Sequence, residues 1–349
     1  MKLGVGGLGA MVLTPLLWDT NQLEWAQADR MGRITIGKVS LWSQPTIRSA
    51  ELGPLYQDTV IEWLREVAGE APGLALNRRW VETPEGYVYG PNVQPVWNRP
   101  QLPVTELPET PLGRGMWVEV CVPYVDLIWA NPRSVSEGSW MHENLRPRFY
   151  YSQVFWVDDL RLNAEGKTEY RLVERYANDI FWGRAEAFRP MTPEEIEPIS
   201  PGREDKHVLI NLNHQTLSCF EGKQEVYFCR ISSGGKYDID GNPSEKWATP
   251  ITISPVWRKL ISHHMTGGET GGGWDIPGIA WTVLFVGNGV AIHSTFWHND
   301  FGTPRSRGCI NASPDDAKWI FRWADPVVTY DMGELTVGMP GGTRVHVVE

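Results

Sequence analysis

The chain has 349 residues, 42% hydrophobic and 21% charged, a globular composition with material for two or three domains. Its net charge of −10 argues against nucleic acid as a partner, because phosphate binding needs clustered Lys and Arg. With 35 Gly, 26 Pro and periodic segments rich in β-branched and aromatic residues, short strands and turns are favoured over long helices.

Residues 1–30 open with "LGVGGLGAMVLTPLL" (Leu3 to Leu17), a small-residue apolar run of signal-peptide length, short for a bilayer span. Ala26-Gln27-Ala28 fits a small-x-small cleavage site, and Lys2 alone supplies a basic flank. The run resembles the core of a twin-arginine export signal without the paired Arg, which would place the true start upstream of Met1. Export is expected; left uncut, the run would tether the chain to a membrane.

Residues 31–97 read as a small β module. "GRITIGKVSLW" alternates, "SQPTIRSAELGPL" is turn-rich, "TVIEWLREVAGE" can be a strand pair, and "RRWVETPEGYVYGPNVQPV" closes the unit. This order resembles a bacterial Src-homology-3-like domain. "NRPQLPVTELPET" (98–110) reads as a Pro-rich linker. Residues 111–192 repeat the order with "MWVEVCVPYVDLIWANP", the strand pair around "NAEGK", and "FWGRAEAFRPM", interrupted by the insert "SVSEGSWMHENLRPR". "MTPEEIEPISPGRED" (191–205) is acidic and Pro-bearing and reads as a second linker.

Residues 203–349 form the third domain. "HVLINLNHQTLSCF" and "EGKQEVYFCRISSGG" read as successive strands around turns. "WATPITISPVWRKL", "WTVLFVGNGVAIHS" and "GTRVHVV" add more. One helix is marked by Ser313 as N-cap, Pro314 at the first position and acidic Asp315 and Asp316, with Ala317, Ile320, Phe321 and Ala324 on one face. The 18 Trp suit small β-cores, with some available to line a groove for sugar or peptide.

The cysteines are at 121, 219, 229 and 309, with no spacing that suggests zinc. A tight turn at "EGK" puts Cys219 opposite Gln224 or Val226, so no Cys219–Cys229 disulfide is expected. In "SRGCIN" Gly308 allows a tight turn and close backbone approach beside Cys309. A following helix N-terminus would favour the thiolate. A nucleophilic Cys needs a base. His293, ending the apolar strand "GVAI", is better held than His298 in the polar "WHNDFG". On spacing alone, Cys309 remains either a nucleophile or a small buried hydrophobe.

"IHST", "FWHNDFGTPR" and "SRGCIN", with "ISSGG" and "ATPITISPVWRK" upstream, resemble the L,D-transpeptidase family with its YkuD-type catalytic domain. The resemblance covers about residues 203 to 349. It implies a mostly β protein: a β-sandwich-like catalytic domain with one capped helix, preceded by the two Src-homology-3-like barrels. It implies that Cys309 attacks a donor stem peptide of peptidoglycan, releases D-alanine, and passes the acyl group to an acceptor amine. His293 would be the general base, oriented by the Ser294 backbone carbonyl. The backbone N–H groups of Gly308 and Cys309 would serve the oxyanion. No cofactor or metal is implied.

The family has His before the Gly-Cys pair, and this chain has Arg307. Arg cannot act as a base near neutral pH, but it can stabilise the thiolate or hold a stem carboxylate. Ser306, Arg307, Asn311, Met265 and Trp274 are the candidates to line the substrate groove, Asn311 also suiting the loop before the helix. Trp281 suits either groove or core. His263-His264 is expected in a loop or lid, and "GGETGGG" in a flap; the latter lacks the GK[ST] end of a phosphate loop. Expected partners are peptidoglycan stem peptides, with wall glycan on the leading modules, at the cell envelope. The alternatives are a catalytically impaired wall-binding protein and an L,D-carboxypeptidase-like hydrolase on the same site.

Overall fold

The computed structural model describes residues 30–349 other than 74, 132–146, 174–178, 238–240, 268–273 and 288. The export-signal segment, most of the 134–148 insert and nearly all of the Gly-rich flap lie outside the described residues. No described helix is long and apolar enough to cross a membrane. The described chain is mostly β, with one α-helix, Pro314–Trp323.

Strands between Met31 and Val96 pair only with one another. Met31–Ile34 runs between Val60–Glu62 and Val93–Val96 in a three-stranded sheet. A five-stranded sheet runs Glu51–Tyr56, Lys38–Trp42, Tyr87–Tyr89, Arg79–Glu82, Arg65–Ala68. Their core is small: Ile34, Val39, Trp63, Val81, Val88 and Val93.

The next unit is a six-stranded antiparallel sheet with Val154–Leu162 and Met116–Val120 near its centre. Alternation divides these strands between two cores. Met116, Val118, Val120, Phe155 and Val157 face the unit's own interior. Trp117, Val154 and Trp156 face the other way, into the core of residues 206–348. A strand buried on both faces reads as continuously apolar, as "QVFWV" does.

Residues 206–348 form two five-stranded sheets packed in a β-sandwich-like arrangement. One runs Gln224–Arg230, Thr216–Glu221, Lys206–Asn211, Arg344–Val348, Thr252–Pro255. The other runs Ile310–Ala312, Ala291–Ser294, Trp274–Leu284, Arg258–Gly267, Glu334–Thr336. Between them lie Val208, Ile210, Leu217, Ile261, Ala280, Trp281, Val283, Ile292 and Ile310. The helix adds Ala317, Ile320 and Phe321. Ser313 Oγ accepts from the Asp316 N–H at 3.2 Å, so one orphan donor of the first turn is met. At the other end two buried lysines meet carbonyls: Lys206 Nζ donates to Trp323 O (2.8 Å) and Lys259 Nζ to Pro326 O (2.8 Å). Burial pulls the Lys259 ammonium down to about 7. Trp281, 1% exposed, belongs to this core and not to a groove.

Three local expectations are corrected. Residues 191–205 are not a free linker: Met191 and Ile196 enter the main core, and a capping box between Thr192 and Glu195 closes the 3-10 turn Pro193–Ile196. His263 and His264 sit inside the strand Arg258–Gly267, not in a lid, and His264 Nε2 pairs with the buried Asp275. Cys219 faces Tyr227, because a bulge after it shifts the hairpin register by one. Leu217 faces Cys229, and all four thiols are free.

Gly278 lets the second unit dock. Its φ is +68°, and a Cβ there would lie 2.2 Å from the Phe155 ring. Gly278→Ala should destabilise the chain by more than about 1 kcal/mol. A fall in the denaturant midpoint checks this.

Candidate active site

Two short strands build the site. Ala291–Ser294 and Ile310–Ala312 pair in parallel, with Ile292 opposite Ile310 and His293 opposite Asn311. Side chains alternate along a strand, so His293, Asn311 and, two residues before it, Cys309 share one face. Ile292 and Ile310 turn the other way, into the core. His293, Cys309, Asn311, Ser306 and Arg307 line one pocket of about 160 Å³, together with Met265. Trp297, Arg305 and Ile276 complete it. Met265 and Ile276 are cross-strand partners, which places both on one wall. Trp274 opens its strand, paired with Gly267.

His293 is 1% exposed. Its Nδ1 lies 2.9 Å from the Ser294 carbonyl oxygen. A carbonyl only accepts, so Nδ1 carries the proton and Nε2 is left as a base. Burial lowers the imidazole to about 4, the bond to Ser294 only partly offsetting it, so the ring is neutral at pH 7. Burial likewise pushes the Cys309 thiol up to about 11, against a backbone hydrogen bond with Ala291 that lowers it. The resting pair is therefore thiol and neutral imidazole. The helix dipole gives little help, because the strand Ile310–Ala312 and the Ser313 cap separate Cys309 from the first helical residue, and the dipole acts within the first turn. The other three cysteines are buried, their thiols pushed up by desolvation. Cys309 is half-buried and stands at the pocket wall.

The loop before Cys309 is pinned by hydrogen bonds. Gly308 has φ +119°, which Gly alone adopts readily. Its N–H donates to Ser306 Oγ at 3.1 Å, and Ser306 Oγ donates to Cys309 O. The Gly308 N–H is thus engaged in this state, where the sequence pointed to it as an oxyanion donor. Thr249 Oγ1 donates to Gly308 O (2.8 Å) and accepts from Gly234 N–H (2.9 Å). The "ISSGG" segment adds two backbone bonds between Ser232 and Asn311, both 2.9 Å. Arg307 is exposed at the rim, its guanidinium 5.4 Å from the centre of the Trp247 ring.

His298 does not line the pocket. It is 4% exposed, and burial lowers it to about 3. Its Nδ1 accepts from the Asp300 N–H at 3.1 Å, so the neutral ring carries its proton on Nε2. That N–H must donate to Asn311, 2.9 Å away, which fixes the amide with its oxygen toward His298. In the opposite orientation the Asn311 oxygen would be buried without a donor. Among the described residues no cluster of His, Cys, Asp or Glu could hold a metal ion.

Sequence reasoning missed Thr249, Trp297, Arg305, Ile276 and Trp247. Only Thr249 had a signal, as the polar residue of "ATP" among apolar ones. The rest reach the site through pairings that no local pattern announces.

The family model for the L,D-transpeptidase catalytic domain, YkuD, matches residues 205–347. That match falls on the two packed sheets and the helix that carry the pocket. Among solved structures it is similar to an L,D-transpeptidase from Enterococcus faecium: 21% identity over 42% of this chain and 50% of that one, TM-score 0.32. It is also similar to one from Mycobacterium smegmatis, at 18% identity over 52% and 90% of the two chains, TM-score 0.32. L,D-transpeptidase 3 from Mycobacterium tuberculosis shares 15% identity over 56% and 92%, TM-score 0.32. The chain spans about half the length of the E. faecium protein. No curated protein matches it.

Both buried imidazoles make stability depend on pH. Their folded values, about 4 and about 3, lie below the ordinary 6.5, so the unfolded chain takes up protons first as pH falls. The stability they contribute is complete above pH 6.5 and drains as pH drops toward the folded values. Each should cost about 2 kcal/mol between pH 7 and pH 5. His298→Gln should remove about that much of the loss, read from urea unfolding of both proteins at the two pH values.

Proposed function

We propose that the chain is a peptidoglycan L,D-transpeptidase of the cell envelope, exported, with Cys309 as nucleophile. The observation that supports this most is the face shared by His293 and Cys309, with His293 Nε2 left unprotonated by the bond to Ser294 O.

The reaction divides at a thioester. Cys309 Sγ attacks the carbonyl carbon between the diamino acid and the terminal D-alanine of a donor stem. His293 Nε2 takes the thiol proton as the bond forms. Because the thiol is raised and the imidazole lowered, proton transfer waits for the substrate carbonyl. The Cys309 N–H faces the developing oxyanion, and Gly308 joins it if Ser306 Oγ gives up its bond. The intermediate collapses, His293 gives the proton to the leaving nitrogen, and D-alanine departs. An acceptor amine then attacks the thioester, His293 takes its proton, and the thiol is restored. No cofactor enters.

Arg307 cannot replace the family's histidine as a base. At the rim over Trp247 it suits a stem carboxylate, while Met265, Ile276 and Trp297 supply the apolar wall. Arg307→Gln should raise KM for the donor stem several-fold and change kcat less. An unchanged KM would remove Arg307 from donor recognition.

Incubation with a carbapenem should add the mass of one inhibitor to the chain, and Cys309→Ala should abolish the adduct. With tetrapeptide donors the chain should release D-alanine and form new cross-links. Turnover of donors by the Cys309→Ala variant would sink the proposal. Released D-alanine without cross-links would mean that water is the acceptor.

A further inference from the structure

We infer that residues 31–96 position the active site, by holding the backbone of the loop between His293 and Cys309. Its catalytic meaning rests on the function proposed above.

A fifteen-residue connection whose first half is mostly buried must find partners for its backbone groups. The second half of this loop finds them within residues 206–348. Gly302 N donates to Ile231 O (2.8 Å), Arg305 N and Ser306 N to Ser233 O (2.9 and 3.0 Å), and Ser232 Oγ to Thr303 O. The first half finds them in the leading unit. Arg33 Nη2 donates to Phe296 O at 2.7 Å. Arg79 Nη2 donates to Asn299 O, and Asn299 N to Pro91 O at 2.9 Å. Asn77 Nδ2 donates to Asp300 Oδ1 at 3.2 Å.

Arg33 is the telling residue. It is 2% exposed, and burying a guanidinium is costly unless its donors are met. Its nitrogens reach Gln94 Oε1 (3.0 and 2.8 Å), Asp58 Oδ1 (2.7 Å) and the Phe296 carbonyl. It stacks 4.1 Å over the Tyr150 ring, which in turn lies 5.4 Å from Phe296. Arg148 of the second unit shares Asp58 at 2.8 Å. A unit that only bound wall, or only spaced the domain from a membrane, would not need a buried cation aimed at that one backbone carbonyl.

The clamp leads to the site without touching it. Neither Arg33 nor Arg79 lines the pocket. The held segment includes His298, Asn299 and Asp300, and His298 fixes Asn311 on the face of His293 and Cys309. Arg33 and Arg79 are thus positioning residues, acting through the loop.

The test uses the full chain with Arg79→Ala, Arg79→Lys and Arg33→Met. Arg79 is partly exposed, so Arg79→Ala is expected to unfold at the wild-type denaturant midpoint. It should lose hydrogen-exchange protection at amides 296–303 and slow Cys309 acylation by a carbapenem roughly ten- to hundredfold. Arg79→Lys should recover part of both. Arg33→Met should show the larger effect; if it fails to fold, Arg79→Ala decides alone. Protection retained at 296–303 overturns the inference, whatever the acylation rate. Protection lost while acylation is unchanged overturns it too. If the wild-type chain is not acylated, the proposed function has failed instead. The rate of Cys309 alkylation by iodoacetamide then replaces acylation in the same comparison.

Discussion

The parallel pairing of Ala291–Ser294 with Ile310–Ala312 is the constraint on which the site depends. Three consequences follow from it. One register sets His293, Asn311 and Cys309 on the same face. The opposite face, Ile292 and Ile310, is committed to the core, so the strands cannot slip by one residue without burying the chemistry and exposing the apolar side. Parallel neighbours also cannot be joined by a tight turn, so a long crossover is obligatory. That crossover is polar, and its backbone demands partners from two sides: the "ISSGG" segment and the leading unit.

Electrostatics around the pair is governed by burial more than by charge. His293 and His298 are both held neutral, and each ring's proton position follows from which partner can only accept or only donate. Of the charged groups, Arg305 pairs with Asp300 and Arg307 stands at the pocket rim. A neutral resting pair of this kind holds little thiolate, which slows its reaction with water and stray electrophiles.

The parts legible in the sequence were those written in short spacings. The Ser313 cap, the Pro at the first helical position and the Ala317, Ile320, Phe321 stripe all sit within one turn or three of each other. The strand-end His293 and the Gly-backed Cys309 carried a family resemblance because both ends of the crossover are local motifs. Other features were misread for identifiable reasons. The acidic, Pro-bearing composition of 191–205 reports stiffness and solubility, not the fact that Met191 and Ile196 find a core. His263-His264 looked like loop because neighbouring side chains on a strand point to opposite faces; both nonetheless lie inside the strand Arg258–Gly267. The single bulge in the Cys219 hairpin leaves no mark in residue type. Arg33 sat in an alternating strand where a charged residue is expected to face water, and nothing nearby hinted at an acceptor in another domain.

The contact from Arg33 to the Phe296 carbonyl spans 263 positions. Contacts that distant form late in folding, since the intervening chain must be ordered before closure is rewarded. Chain order helps here: the unit carrying Arg33, Asn77 and Arg79 emerges well before the loop and can fold on its local hairpins. The crossover between His293 and Cys309 is thus completed against a finished template, so a chain still folding carries the cysteine but not the assembled pair.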